Sequence, residues 1–338
     1  MTVYGLLDES LSSQKDTFTI GGANLEGNKS GVQQGILNGS RLGFKGTEDL
    51  GGGLKANFLV ELSLAPQAKA ADMANRQSYV GVSGNFGAVT IGRQYTPYFV
   101  VVGAVDFAGE IAAPGMVAMN HMMGLRRDNA VQYVSPSISG FQGTVQVAGG
   151  TQTASQLGGT SGSLGKSFGG SLVYAAGPLV AAVVIDDVTA PTGEQQIAYT
   201  SLAGPTTANL FGTVTSIETK VWAAGGLYDF GAAKVSAAYT SLTDNKLAGA
   251  PDVTSKGYNF SVSVPLGAAT LIGNLGSANV QQAGTNDGTI TGMQLVGLYS
   301  LSKRTTAYAV YGTDKLTFDN TAGEGKRTQA NLGIRHTF

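Results

Sequence analysis

The sequence predicts an all-β protein, a closed antiparallel β-barrel of about sixteen strands that crosses a membrane. Three observations lead to this fold class. Polar and apolar residues alternate with period two along the whole chain. Short and long connections between the alternating segments follow each other strictly. No apolar run reaches the roughly eighteen residues that a transmembrane helix requires.

The composition is unusual for a water-soluble chain. Of the 338 residues, only 13% are charged, 50 are glycine, none is cysteine, and the formal net charge is −1. A soluble protein carries nearer about 25% charged residues, and the mean hydropathy here is +0.07. These values leave two architectures, a large soluble all-β protein or a transmembrane β-barrel. The lack of cysteine excludes a disulfide framework and a thiolate nucleophile or ligand.

The first clear strands show what the two faces of the sheet carry. In residues 40–46, Leu42 and Phe44 share one face, while Arg41 and Lys45 share the other. Residues 54–62 repeat the pattern, with one wholly apolar face and an opposite face that carries Lys55, Asn57 and Glu61. A face that repeatedly holds charged residues fits a water-filled lumen better than a packed core.

The connections fall into two classes. The short ones are 47–53, 84–87, 135–140, 176–178, 230–232, 265–267 and 302–304. The long ones, which are polar or rich in glycine, are 10–38, 65–74, 149–167, 188–218, 243–255, 281–288 and 315–325. This alternation is typical of outer-membrane barrels, which have short turns at one end and long loops at the other.

The segments between these connections number about sixteen, each of roughly nine to eleven residues, which spans a bilayer when tilted. We expect one barrel domain, residues 1–338, because no linker interrupts the pattern. Residues 195–202 could form an extra strand, but they are assigned to a loop here, since another strand pair would need a second tight turn.

One connection differs from the others. About thirty residues between Arg93 and Tyr133 show no sustained period, and connections of this length are usually functional. This stretch contains two acids, Asp106 and Glu110, and ends on the basic pair Arg126 and Arg127. We expect it to fold into the mouth of the barrel and narrow an aqueous pore.

Four stretches make the chain resemble the Gram-negative general porins, the sixteen-stranded trimeric proteins of the proteobacterial outer membrane. They are residues 40–56, 75–94, 301–305 and 333–338. The resemblance implies a homotrimer of pores for passive diffusion of small hydrophilic solutes and inorganic ions, in contact with outer-membrane lipid and lipopolysaccharide. Because residues 2–5 already form a strand-like segment, we expect Met1 to stand where a leader was removed.

The resemblance also implies a constriction. The third long loop, residues 95–127, would fold inward and present Asp106 and Glu110 to arginines on the barrel wall. The matching wall positions are Arg41, Arg76, Arg93, and Arg126 or Arg127. The proline-glutamate-phenylalanine-glycine signature of that loop is replaced here by residues 107–115. Arg93 shares a face with Val89 and Ile91, so it points to the lumen only if a bulge reverses the alternation.

The charges at this neck predict a mild preference for anions. Four or five arginines face two acids, with Glu61 a possible third, and a low-dielectric wall strengthens the field of such an imbalance.

Other site types find little support in the sequence. Four methionines and His121 within residues 116–123 suggest loop packing more than a soft metal site, and no cofactor or nucleic-acid partner is expected. Residues 159–167 miss the spacing of a phosphate-binding loop. Catalysis would need a base, and the two histidines offer none that is well placed. The alternatives to a general pore are a substrate-specific channel, for example for organic acids, an outer-membrane adhesin, and a soluble all-β binding protein.

Overall fold

The computed structural model describes residues 1–20, 23–64, 75–105, 126–149, 166–189, 216–247, 253–282, 285–318 and 323–338. The predicted loop acids Asp106 and Glu110, the methionine stretch 116–123 and the possible extra strand 195–202 lie outside these residues. Within the described ranges, no helix is long and apolar enough to cross a membrane. The described residues form antiparallel strands and one helix: β1 Thr2–Ile20, β2 Ala23–Gln34, β3 Arg41–Gly51, β4 Leu54–Ser63, β5 Asn75–Gly84, β6 Gly87–Tyr95, α1 Pro97–Val105, β7 Arg126–Val134, β8 Phe141–Gly149, β9 Lys166–Ala176, β10 Leu179–Thr189, β11 Ser216–Asp229, β12 Lys234–Leu247, β13 Val253–Leu266, β14 Ala269–Gln282, β15 Thr285–Ser300, β16 Thr305–Phe318 and β17 Glu324–Thr337.

Sixteen of these 17 described strands form a closed ring. Strand β1 closes it by pairing with β17 on one side, from Leu6 opposite Thr337 to Thr19 opposite Glu324. On its other side, the first residues of β1 pair with β3. Closure leaves no unpaired edge within the ring, which a strand structure in a bilayer requires. The predicted antiparallel barrel of about sixteen strands is therefore confirmed.

Strand β2 is the additional strand. It pairs with the second half of β1, from Glu9 opposite Gln34 to Ile20 opposite Ala23, and lies outside the ring. The expectation that residues 10–38 form a loop is therefore wrong, because most of them form a hairpin. The sequence does not reveal this hairpin because β2 is exposed on both faces, so no apolar side marks its period.

The two faces of the sheet differ as the alternation predicted. In β14, the outward residues Leu271 and Leu275 are 53% and 54% exposed, whereas the inward residues Ile272 and Asn274 are 6% and 3% exposed. Large apolar side chains on the outward face suit contact with lipid, and polar side chains suit the interior.

Helix α1 occupies the start of the stretch in which the sequence shows no period. Thr96 caps it, because its Oγ1 accepts a hydrogen bond from the Phe99 amide at 3.1 Å, and Pro97 takes the first helical position. The helix contains no charged residue. It therefore lacks the polar face that would have made its period visible in the sequence.

Helix α1 packs against the inner wall of the barrel. Its buried residues Tyr98, Val101, Val102 and Val105 contact inward side chains of β10, β11 and β12: Ala182, Val184, Val188, Val221, Ala223 and Leu242. A Cβ added to Gly225 would lie 3.0 Å from Val105 Cγ2, so this glycine leaves room for the helix. Burial raises the pKa of the Tyr98 hydroxyl, which is hydrogen-bonded to Thr240. The chain thus enters the lumen directly after β6.

Replacing Val101 with aspartate is expected to detach α1 from the wall and increase single-channel conductance. Val101 is 1% exposed, and an unpaired carboxylate at such a position costs several kcal/mol. Val100 on the same helix is 52% exposed, so Val100→Asp is the matched control. Conductance in a planar bilayer should rise in V101D only. An equal rise in both variants would contradict the assigned packing of the helix.

A second segment, residues 35–40, also folds against the inner wall. Ile36 and Leu37 pack on inward residues of β14, β15 and β16: Ile272, Val296, Tyr308 and Val310. Asp8 of β1 fixes the segment, because one carboxylate oxygen accepts hydrogen bonds from the amides of Leu37 at 3.0 Å and Asn38 at 2.9 Å. Its other oxygen accepts one from the Tyr308 hydroxyl.

Candidate functional site: a basic constriction

Glu61 is the hub of a charged cluster on the inner wall of β3, β4 and β5. Its Oε1 accepts a hydrogen bond from Arg76 Nε at 2.8 Å, and its Oε2 accepts one from the Tyr4 hydroxyl at 3.0 Å. Arg41 Nη1 lies 3.9 Å from Oε2. One carboxylate therefore balances part of the charge of two guanidinium groups, and all three ionised side chains are largely buried.

Tyr95, at the end of β6, connects Arg76 to a third arginine. Its hydroxyl accepts hydrogen bonds from Arg76 Nη2 at 2.9 Å and Arg126 Nη2 at 3.2 Å. The Arg126 guanidinium also lies 4.7 Å from the centre of the Tyr95 ring, within the range of a cation–π interaction. The ring is stacked in turn on Phe99 of α1, with 4.6 Å between centroids. We call Arg41, Glu61, Arg76, Tyr95 and Arg126 the constriction cluster.

An irregularity in strand pairing brings Arg76 into this cluster. Glu61 pairs with Gln77, but Leu62 pairs with Asn75, so Arg76 is an extra residue in β5. Such a bulge redirects a side chain that simple alternation would send to the opposite face. The sequence shows the arginine but not the bulge.

Gly43 positions the tyrosine on the other side of Glu61. The ring of Tyr4 lies across the Gly43 backbone, where an added Cβ would collide with it. A side chain at this position would displace the Tyr4 hydroxyl from Glu61.

Arg93 has a different environment. It pairs in register with Ser78 of β5. Ser78 lies two residues before Val80, whose side chain faces outward and is exposed. Its guanidinium forms an ion pair with Asp128 and donates to the Asn75 carbonyl at 2.9 Å. The β6–β7 pairing is irregular at this point, between Gly92 and Gln94.

Arg127 is also placed apart from the cluster. Its Nη2 lies 3.6 Å from Asp186 Oδ2 of β10, and the two side chains are only 11% and 2% exposed. Asp186 faces inward next to Val184, one of the residues that α1 covers. The charge of Arg127 is therefore paired with Asp186, beside helix α1.

The structure thus brings together four of the eight predicted site residues: Arg41, Glu61, Arg76 and Arg126. Arg93 and Arg127 lie in separate ion pairs, and Asp106 and Glu110 lie outside the described residues. Sequence reasoning missed the roles of Tyr4 and Tyr95. Two signals point to them, a tyrosine opposite a glycine on the next strand and a tyrosine directly before the Thr96-Pro97 helix start.

The Tyr95 hydroxyl holds two like charges together, so Tyr95→Phe is expected to lower stability. The variant loses two hydrogen bonds from guanidinium groups, and the free energy of unfolding should fall by about 1–3 kcal/mol. Tyr133→Phe is the matched control, because that exposed hydroxyl donates a single bond to the Phe86 carbonyl. Urea unfolding measures both variants, and a loss no larger in Y95F than in Y133F would contradict the bridging role.

A closed strand ring with an apolar exterior, a polar interior and a cluster of charges on its inner wall defines a pore-forming transmembrane barrel. The model of the Gram-negative porin family matches residues 1–319. The chain therefore belongs to this family, and the protein is a porin of the bacterial outer membrane. This confirms the resemblance found in the sequence.

Individual relatives agree with the family match. An outer membrane porin protein of Bordetella pertussis is 27% identical, over 100% of this chain and 94% of its own length. Outer membrane porin protein 32 of Delftia acidovorans is 29% identical, over 88% and 84% respectively. The solved anion-selective porin from Comamonas acidovorans superposes with a TM-score of 0.75 at 24% identity, covering 100% of this chain and 99% of that one. These relatives are channels by description, and the solved structure shows the same fold.

Proposed function

We propose that this porin is an anion-preferring pore for passive diffusion of small hydrophilic solutes, and that the constriction cluster sets its preference. The observation that carries the proposal is one connected cluster, in which Arg41 and Arg76 pair with the single carboxylate of Glu61 and the Tyr95 hydroxyl joins Arg126 to Arg76. The cluster therefore has a local charge of +2, although the whole chain has a formal charge of −1.

Position makes this local charge effective. The cluster lies on the inner wall, where surrounding protein and lipid have a low dielectric constant and concentrate the field in the lumen. A ring or patch of arginine in a pore favours anions. The Tyr95 hydroxyl is neutral, so it fixes Arg76 and Arg126 without cancelling their charge.

The proposal includes the inward loop and the assembly. The start of the segment 95–127 lies against the inner wall as α1, which supports a role for this segment in narrowing the pore. A homotrimer in contact with outer-membrane lipid and lipopolysaccharide is proposed from the family. The relative from Comamonas acidovorans is described as anion-selective, which also supports the proposed preference.

Ion substitution tests the proposed preference. Single-channel conductance is measured in potassium chloride, then with chloride replaced by a bulky anion, then with potassium replaced by a bulky cation. We expect the anion replacement to reduce conductance much more than the cation replacement. A larger reduction on cation replacement would contradict the proposal.

A channel specific for organic acids is the second candidate. Arg76 and Arg126 share one hydroxyl acceptor, so two guanidinium groups stand close enough to bind one carboxylate. Such a channel would show chloride currents that a small dicarboxylate blocks at saturating concentration. A general pore would show only a proportionate change in current.

A further inference from the structure

A groove on the outward face of the barrel crosses the neighbouring strands β13 to β16. Its volume is about 550 Å³, and apart from the Tyr311 hydroxyl its lining side chains are apolar. The side chains of Leu271, Leu295 and Tyr311 form its walls, together with two valines of β13. Ligand sites commonly have volumes of about 300–1,000 Å³, so this groove is large enough to hold part of an organic molecule.

Small residues form the floor of this outward groove. Gly297 of β15 pairs with Ala309 of β16, and Gly273 of β14 pairs with Leu295, two residues before Gly297. A Cβ added to Gly273 or Gly297 would lie 3.7 or 3.8 Å from a leucine side chain, which is an ordinary contact. The packing of the sheet therefore does not require glycine at either position, and the open floor has to be explained in another way.

The outward groove lies near the end of the barrel that has the short turns. Leu271 follows the start of β14 by two residues, and Gly297 precedes the end of β15 by three. The exposed Tyr299 lies between Gly297 and the turn, where an aromatic residue of the girdle marks the boundary of the bilayer. Short turns face the periplasm in outer-membrane barrels. The groove is therefore within the apolar part of the inner leaflet.

Two cations stand at the periplasmic end of the groove. Lys303 and Arg304 lie in the turn that joins β15 to β16, the strands that supply two residues of the floor. Both are exposed, and within the described residues neither forms an ion pair. The turn is fixed, because Ser302 Oγ accepts hydrogen bonds from the amides of Arg304 at 3.1 Å and Thr305 at 3.0 Å. An apolar groove that ends at two cations is complementary to a molecule with an apolar chain and an anionic head group.

We propose that this groove binds an acyl chain of an anionic phospholipid of the inner leaflet, and that Lys303 and Arg304 bind its head group. The floor of small residues lets the chain lie against the backbone of the sheet, between the leucine and tyrosine walls, where it gains apolar contact. The head group is held at the membrane boundary, because basic residues beside a bilayer attract anionic lipids. The inference rests on the lipid contact included in the proposed function and adds a defined site to it.

Lipid binding to the porin purified in detergent tests the role of the two cations. After removal of bound lipid, phosphatidylglycerol or phosphatidylcholine with the same acyl chains is added, and bound lipid is counted by native mass spectrometry. We expect the wild-type protein to bind phosphatidylglycerol at an about tenfold lower concentration. The preference should disappear in K303Q/R304Q. It should remain in the control K55Q/K234Q, which removes the same charge next to two other short turns.

A filled groove tests the binding of the acyl chain. In G273L/G297L the half-saturating concentration of both lipids should rise about tenfold, because the leucine side chains occupy the space of the chain. Gly143→Leu is the matched control. Gly143 lies between the outward Phe141 and Val145 near the start of β8, and a Cβ added there would lie 3.8 Å from the nearest atom. This variant should bind both lipids like the wild type.

Equal binding of the two lipids to the wild type would overturn the proposal, and so would their displacement by glycerol phosphate, which has no acyl chain. A G273L/G297L variant that binds lipid normally but changes its number of protomers would also overturn it, since the groove would then be a contact between copies. K303Q/R304Q keeps the test decisive if the glycine variant does not fold, because it changes only exposed turn residues. Conductance and zero-current potential judge the pore function separately, because the groove lies outside the lumen.

Discussion

A variant in which Arg41, Arg76 and Arg126 are all replaced by glutamine is expected to lose its anion preference and become weakly cation-selective. The substitutions change the local charge of the constriction cluster from +2 to −1, because Glu61 then faces no arginine. Ion selectivity of a pore follows the charge at its narrow part. The zero-current potential in a salt gradient should therefore change sign.

Three exposed lysines supply the control for this variant. Lys15, Lys220 and Lys234 take part in ion pairs with side chains about half exposed. Their replacement by glutamine removes the same total charge from the protein. We expect it to leave the potential almost unchanged, because exposed charges are screened over about 10 Å at 0.1 M salt. Equal effects of the two triple variants would contradict a role for the cluster.

Asp8→Ala is expected to cause the largest loss of stability, about 3–5 kcal/mol, because three buried donors lose their acceptor. Asp8 is 0% exposed, and its removal leaves the amides of Leu37 and Asn38 and the Tyr308 hydroxyl without their acceptor. The 35–40 segment would then leave the wall, and the hydrogen bond from Arg41 Nε to the Gly39 carbonyl at 2.8 Å would be lost. Urea unfolding of the folded barrel measures the effect.

Asp229→Ala is the matched control for Asp8. Asp229 also accepts a backbone amide, that of Gly231 at 2.8 Å, and pairs with Lys234 at 3.1 Å, but it lies in an exposed turn. Its replacement should lower the stability much less than Asp8→Ala, because solvent screens an exposed ion pair. If D8A were as stable as D229A, Asp8 would not be the anchor of the 35–40 segment.

The barrel could be predicted because the bilayer imposes it on the sequence. Residues such as Leu271 and Asn274 must differ in polarity when one faces lipid and the other faces the interior. The same reasoning failed for residues 10–38, because strand β2 of the hairpin is exposed on both faces and requires no alternation. It also missed α1, whose apolar character extends around the whole helix. The cap formed by Thr96 and Pro97 was the only local sign of it.

The constriction cluster could be predicted in part. Arg41 follows from strand alternation, and Arg76 and Arg126 from the resemblance to known porins. The link between them depends on a bulge at Arg76 and on the reach of Tyr95, and neither follows from a period or a motif. Arg127 shows the limit most clearly. It is adjacent to Arg126 in sequence, yet it pairs with Asp186 beside α1. Both arginines begin β7, where the pairing with β6 is irregular, so a regular alternation does not predict their directions.

The zero-current potential of the wild-type protein in a tenfold gradient of potassium chloride tests the central claim most directly. The claim is that the constriction cluster, with its charge of +2, makes this porin prefer anions. We predict a potential of the sign set by chloride, below the limit of about 59 mV for a perfectly selective channel at this gradient. A potential of the sign set by potassium would contradict the account.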